Sequence, residues 1–168
     1  MKVGSFQARW LERQLDKAHR GKVGLLSRVM QELIPFNRPH RIRIESLDPN
    51  ECAVALPWRK RNLNHLGTMH ACALATAAEY SSGLCLLGVF GMRNTRLIMS
   101  KLEMTYLRRA ESACSAKAQL SEDDLKDVRG HMDQSGRATL VLSSTVTDEA
   151  GEVVAEAKIV WHLKRLSS

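Results

Sequence analysis

In the stretch Asn64-His65-Leu66-Gly67-Thr68-Met69-His70-Ala71-Cys72, polar groups crowd the start of a helix-favouring run, and a single acid, Glu79, follows within it. The first residues of such a helix carry backbone N–H groups with no intrahelical acceptor and the positive end of the dipole. That is the equipment for polarising a carbonyl and holding the oxyanion that develops on it. The N–H groups of Ala71 and Cys72 are the candidates. Glu79 is the one acid between Ala71 and Phe90, and apolar surroundings raise a carboxylate's pKa towards the range where it can take a proton from water. Spacing adds a constraint. From His70 to Glu79 a helix rises about 13.5 Å and turns through about 900°, half a turn out of register. One helix cannot bring both to one carbonyl, so a shared site needs the helix start of one chain and Glu79 of another. The expectation is a two-fold dimer with two composite sites.

Each residue also has a plainer role open to it. Glu79 can be a buried acid satisfied by hydrogen bonds. Asn64 can orient an attacking water or cap the approach to the helix, and His70 can donate to a bound carbonyl or simply pack. His65 reads as loop structure, and Tyr80 and Tyr106 as core or interface residues. Thr68 and Ser82 offer hydroxyls. Arg59-Lys60-Arg61 and Arg108-Arg109 can bind phosphates or form a solvated charged face.

The elements that must position these groups follow from periodicity. Between Phe6 and Leu33, apolar residues recur at spacings of three and four, giving one interrupted helix or two consecutive ones, with the break at Gly21 and Gly24 and the end at Pro35. Arg41 to Ser46 and Cys52 to Trp58 alternate as two strands around an Asp48-Pro49-Asn50 turn. The run from Met69 to Leu87 is small or apolar on every face, which predicts a helix buried all round. Four strands are expected at Arg96 to Arg108, Ser112 to Leu120, Arg137 to Thr147 and Val153 to Leu163. The polar segment Ser121 to Ser135 reads as a long surface connection. Together these give an α+β domain, one antiparallel sheet wrapped around one helix. A single domain spans 1–168, with a helical segment over 1–34 and the core over 35–168.

Composition narrows the classes. With 44% apolar and 26% charged residues the chain can bury one sizeable core. The most apolar window, Ala71 to Phe90, is interrupted by Glu79, so no membrane span is expected. Arg9 and Arg13 stand where a signal peptide would need an apolar stretch, which makes the cytoplasm the expected location. Cys52, Cys72, Cys85 and Cys114 show neither paired nor metal-ligand spacing, so they read as reduced core thiols, and no metal is expected. A net charge of +7 invites an anionic partner, while 5% aromatics offers no nucleic-acid pattern.

The run from Asn62 to Leu84 resembles the hotdog superfamily. More narrowly it is similar to a bacterial hotdog family of unknown function, DUF4442, with the signature N-H-x-x-x-x-H-A-x-A-L-A-x-x-x-E-x-x-S-G-L. The resemblance continues through Leu102 to Ala110 and reaches Ile34-Pro35-Phe36. The same helix resembles phenylacetyl-CoA thioesterases, whose Asn, Gly, His and helix acid fall at Asn64, Gly67, His70 and Glu79. Those enzymes usually have Gly-Gly after the His and Asp as the acid, where this chain has Ala71-Cys72 and Glu79.

The resemblance implies an acyl-CoA thioesterase acting as a homodimer or dimer of dimers, without cofactor beyond the coenzyme A of the substrate. In it Glu79, Asn64, His70, Ala71 and Cys72 would be catalytic. Gly67, Thr68, Arg59, Lys60, Arg61, Arg108 and Arg109 would bind substrate. A non-catalytic acyl-ligand binder is the alternative. A hotdog dehydratase would need a His-Phe-Pro-Gly type loop that is absent.

Overall fold

The computed structural model describes residues 5–91, 93 and 95–166, and side chains from Trp10 onward. Residues 1–4 of the expected helical segment and 167–168 of the expected core lie outside them. The N-terminal segment forms two helices, α1 (Ser5–Ala18) and α2 (Gly24–Leu33), separated where Gly21 takes a left-handed φ of 78°. The hairpin follows as β1 (Arg43–Asp48) and β2 (Glu51–Leu56), closed at Pro49-Asn50. Then come α3 (Ala71–Phe90), β3 (Thr95–Tyr106), β4 (Cys114–Gln119), α4 (Glu122–Ser135), β5 (Arg137–Asp148) and β6 (Val153–Arg165). The six strands make one antiparallel sheet in the order β1-β2-β4-β5-β6-β3, and α3 packs against every strand. This is a sheet curled around a central helix, the architecture the hotdog resemblance implies.

Small side chains let the sheet approach α3 closely. Ala73, Ala77, Ala78 and Gly83 are buried against it, and Ser81 meets Ser144 of β5 through a 2.8 Å hydroxyl pair that satisfies both in the core. By length and composition α3 could cross a membrane, but the sheet wraps it. The expectation of a helix buried all round is corrected at its N-terminal half. Cys72 is exposed and Ala75, Thr76 and Glu79 are half-exposed, a stripe that no element of this chain covers. Cys72 is therefore not a core thiol, unlike the buried Cys52, Cys85 and Cys114, and all four are free.

The segment expected as a surface connection is a helix, α4, packed on β5. Ser121 caps it by accepting from the Asp124 N–H, Glu122, Asp123 and Asp124 face the positive end of its dipole, and Gly136 ends it in the left-handed region. Leu125, Val128 and Met132 form its buried stripe.

The two edges of the sheet differ. On β1, α2 closes the edge with side chains: Ser27 Oγ accepts from the Ile44 N–H at 3.0 Å and Gln31 Nε2 donates to the Ile42 carbonyl at 3.1 Å. β3 pairs with β6 on one side only. Ile98, Met99, Tyr106 and Leu107, on this strand or directly after it, are four of the nine exposed large apolar or aromatic residues among those described. An open strand of this length is the feature that single chains guard against.

Candidate active site

The loop entering α3 is organised by two asparagines. Asn62 is fully buried: its Nδ2 donates to the carbonyls of His40 (3.0 Å) and Pro57 (2.8 Å), and its Oδ1 lies 3.0 Å from His40 Nδ1. Its own carbonyl accepts from the His70 N–H at 2.7 Å, which fixes where α3 begins. Asn64 closes the next turn. Its Oδ1 accepts from the N–H groups of Leu66 and Thr68, and its Nδ2 donates to Thr68 Oγ1 at 2.9 Å, with Gly67 supplying the left-handed φ of 76°.

His70 is the N-cap of α3. Its Nδ1 accepts from the Cys72 N–H at 3.0 Å, which requires the neutral ring with its proton on Nε2. The Cys72 N–H is thus engaged by the cap. What the helix start offers to a ligand is the Ala71 N–H and the outward Nε2–H of the exposed His70. Tyr106 Oη, reaching across from the end of β3, donates to the Ala71 carbonyl at 3.1 Å. Beside this start lies a cavity of about 320 Å³ whose walls include Asn64, Thr68, Ala71, Tyr106, Arg108 and Arg109.

Glu79 belongs to a different cavity, of about 200 Å³, lined by Met30, Ile34, Tyr80, Leu87, Leu97 and Trp161 among others. The two cavities share no residue. Burial pushes the Glu79 carboxyl above its ordinary value. Among the described residues no hydrogen bond is formed to that carboxylate; only its backbone carbonyl is engaged, by Ser82 Oγ. Ser82 Oγ in turn accepts from Trp161 Nε1 at 3.0 Å, laying the indole against the helix. A Cβ at Gly83 would stand 3.2 Å from that ring, so the glycine is what lets Trp161 wall the cavity beside Glu79.

A family model matches residues 22–163 of the chain, that of a domain of unknown function, DUF4442. The chain belongs to the DUF4442 family. No curated protein matches it. Among solved structures it is similar to the Pseudomonas aeruginosa protein PA5026, of unknown function and a probable thioesterase. Identity is 29%, the match covers 84% of this chain and 95% of the other, and the TM-score is 0.77. A mutant of the P. aeruginosa thioesterase PA1618 shares the fold at 16% identity, 84% and 93% coverage and TM-score 0.68. So does the Haemophilus influenzae thioesterase HI1161, at 14%, 79% and 85%, and 0.61. This DUF4442 chain is a hotdog fold.

The structure brings Asn64, Thr68, Ala71, Arg108 and Arg109 around one cavity, places His70 and Cys72 at the same helix start, and keeps Gly67 in the adjoining turn. It does not bring Arg59 and Arg61 there. They line a separate groove against α2 and β1, and Lys60 lines neither cavity. Sequence reasoning missed Asn62 and His40 as the clamp on the loop, and Ser82, Gly83 and Trp161 as the wall beside Glu79. Asn62 carried one readable signal, its place at the head of the run from Asn62 to Leu84, two residues before the signature begins at Asn64. Trp161 carried none, because β6 meets α3 only in three dimensions. Among the described residues no three His, Cys, Asp or Glu side chains come together as metal ligands.

Proposed function

We propose that this DUF4442 protein is a cytoplasmic acyl-CoA thioesterase with two composite sites in a two-fold dimer. The observation that carries the reading is Glu79, a carboxylate with no hydrogen-bond donor among the described residues, raised in pKa by burial, at the wall of an apolar cavity on the central helix. Thioesterases among the fold's neighbours support it.

Glu79 of one chain takes a proton from water as the water oxygen attacks the thioester carbonyl. The Ala71 N–H and His70 Nε2–H of the other chain hold the oxyanion, helped by the dipole of α3. Collapse of the tetrahedral intermediate breaks the C–S bond; the thiolate leaves, takes the proton, and the acid and free coenzyme A result. Arg108 and Arg109 meet the phosphates. Asn64 holds the Thr68 turn in place, and the acyl group enters the cavity of Trp161, Leu87 and Leu97. Release of free thiol from a panel of short, long, branched and aromatic acyl-CoAs tests this. Turnover of at least one class is expected, and none with any member overturns it.

One observation favours the second reading, a non-catalytic acyl-CoA binder: the Cys72 N–H is engaged by His70 rather than free. Binding of acyl-CoA without thiol release would establish that alternative.

The second chain seats itself on the open edge of β3. That edge is long, unpaired among the described residues, and exposes Ile98, Met99 and Tyr106 beside the Lys101–Glu103 ion pair, whereas β1 is closed by Ser27 and Gln31. Ile98 of β3 is exposed in the single chain and is not packed against its core. Ile98→Glu places a charge on this edge strand, where desolvation on pairing with a second chain costs several kcal/mol. Sedimentation is expected to shift from two chains to one with the circular dichroism spectrum kept. A wild-type protein that sediments as one chain and is active would refute the composite site.

A further inference from the structure

We infer that the groove between α2 and β1 is a binding site for a triphosphate-type polyanion, separate from the thioester site. Six arginines from four parts of the chain converge on a concavity of about 890 Å³: Arg28 of α2, Arg38 and Arg41 before β1, Arg43 of β1, and Arg59 and Arg61 after β2. That volume is of the size that small-molecule sites occupy. One carboxylate, Glu32, shares it and pairs with Arg38 at 3.4 Å. The other five guanidinium groups form no ion pair among the described residues. Like charges lining one concavity repel one another, and an anion between them turns that repulsion into attraction.

A second observation is independent of charge. Arg41 sits in the left-handed region at φ 53°, the only non-glycine residue among those described with a positive φ. Glycine adopts that backbone without strain. The position therefore holds a side chain at a conformational cost, and that side chain lines the groove.

The chemistry selects the class of ligand. Guanidinium forks match phosphate oxygens two at a time, and several around one concavity suit adjoining phosphates better than a single carboxylate. Among the described residues no aromatic side chain lines the groove, so a run of stacked nucleic-acid bases finds no platform there. Nor is this the phosphate-binding end of the thioester site. The groove lies against β1, at the opposite edge of the sheet from β3, and shares no residue with the cavity of Arg108 and Arg109. The inference stands whether or not the protein hydrolyses thioesters.

Calorimetric titration at 150 mM salt (~0.15 M, where exposed charges are screened beyond about 8 Å) with inorganic tripolyphosphate, ATP and adenosine tests it. Tripolyphosphate and ATP are expected to bind and to raise the melting temperature, and adenosine to do neither. Equal affinity for the first two identifies the phosphates alone as the ligand, and a gain of about tenfold for ATP adds recognition of the nucleoside. Arg41→Gly removes one guanidinium while relieving the backbone, so the free protein melts no lower and affinity falls about tenfold. Arg43→Ser with Arg61→Ser abolishes binding in the groove, and Arg137→Ser, at an exposed arginine of β5 that lines neither the groove nor the cavity of Arg108 and Arg109, leaves it unchanged. No binding of either phosphate compound, or binding that survives Arg41→Gly and the double variant intact, overturns the site and leaves the arginines as guards of the β1 edge.

Discussion

Glu79→Gln is expected to lower kcat/KM for acyl-CoA hydrolysis by roughly a hundredfold to ten-thousandfold, the range for a positioned general base, while making the protein more resistant to heat at neutral pH. The two effects share one cause. Burial raises the pKa of Glu79, so the folded protein holds this proton more tightly than the unfolded chain does. Between the ordinary carboxylate value and the raised one, the native state binds more protons, and stability therefore falls as pH rises through that window. Activity runs the other way, because only the carboxylate can accept a proton from water, so the acid limb of the rate profile lies above the usual carboxylate range. Glutamine keeps the shape and deletes the charge. Melting curves of wild type and variant should converge at acidic pH and separate as pH rises, with the variant higher. A variant that loses activity and also loses stability at every pH would show Glu79 to be structural, and one that keeps activity would remove it from the mechanism.

The second large effect concerns a backbone hydrogen. Ala71 is the first residue of α3, and His70 before it is extended at φ −69° and ψ 135°. Proline is accepted at that helix position, and the extended residue ahead of it is the conformation proline requires. Ala71→Pro thus removes one N–H and leaves the fold, with kcat expected to fall about a hundredfold to a thousandfold, as for loss of one oxyanion donor. Mixing provides the sharper test. A mixed dimer of Ala71→Pro and Glu79→Gln chains has one site with both defects and one with neither. Unfolding and refolding the two variants together at equal amounts should restore about a quarter of wild-type activity, since half the dimers are mixed and each has one working site. If each chain carried a complete site, the mixture would stay as inactive as its parts.

Much of this was legible in the residues themselves. The alternation in Val153 to Leu163 records burial directly, since period and polarity report which sides of an element meet water, and the small, apolar run of Ala71 to Phe90 marks the central helix although its stripe of Cys72, Ala75, Thr76 and Glu79 is left uncovered. Glu79 stood out because a lone acid in such a run is costly to bury. The helix over Glu122–Ser135 was legible too, in its Ser121 cap, in Leu125, Val128 and Met132 at helical spacing and in Gly136, but the acidic first turn disguised it as solvated loop.

Other features were decided only when the chain closed on itself. Which N–H remains free at the start of α3 depends on His70 turning its ring back to Cys72, and the place of that start depends on Asn62 and His40, distant in sequence. Whether a basic run faces the cavity at the start of α3 or another site depends on the path of the chain after β2, which sets Arg59 and Arg61 in the groove against α2 and β1, apart from Arg108 and Arg109. Which sheet edge is open follows from Ser27 and Gln31 reaching β1. A sequence records the chemistry of each group and the period of each element. Donor and acceptor pairing between distant elements is a property of the packed chain, and here it set which groups at the helix start, in the arginine groove and along β3 were left available.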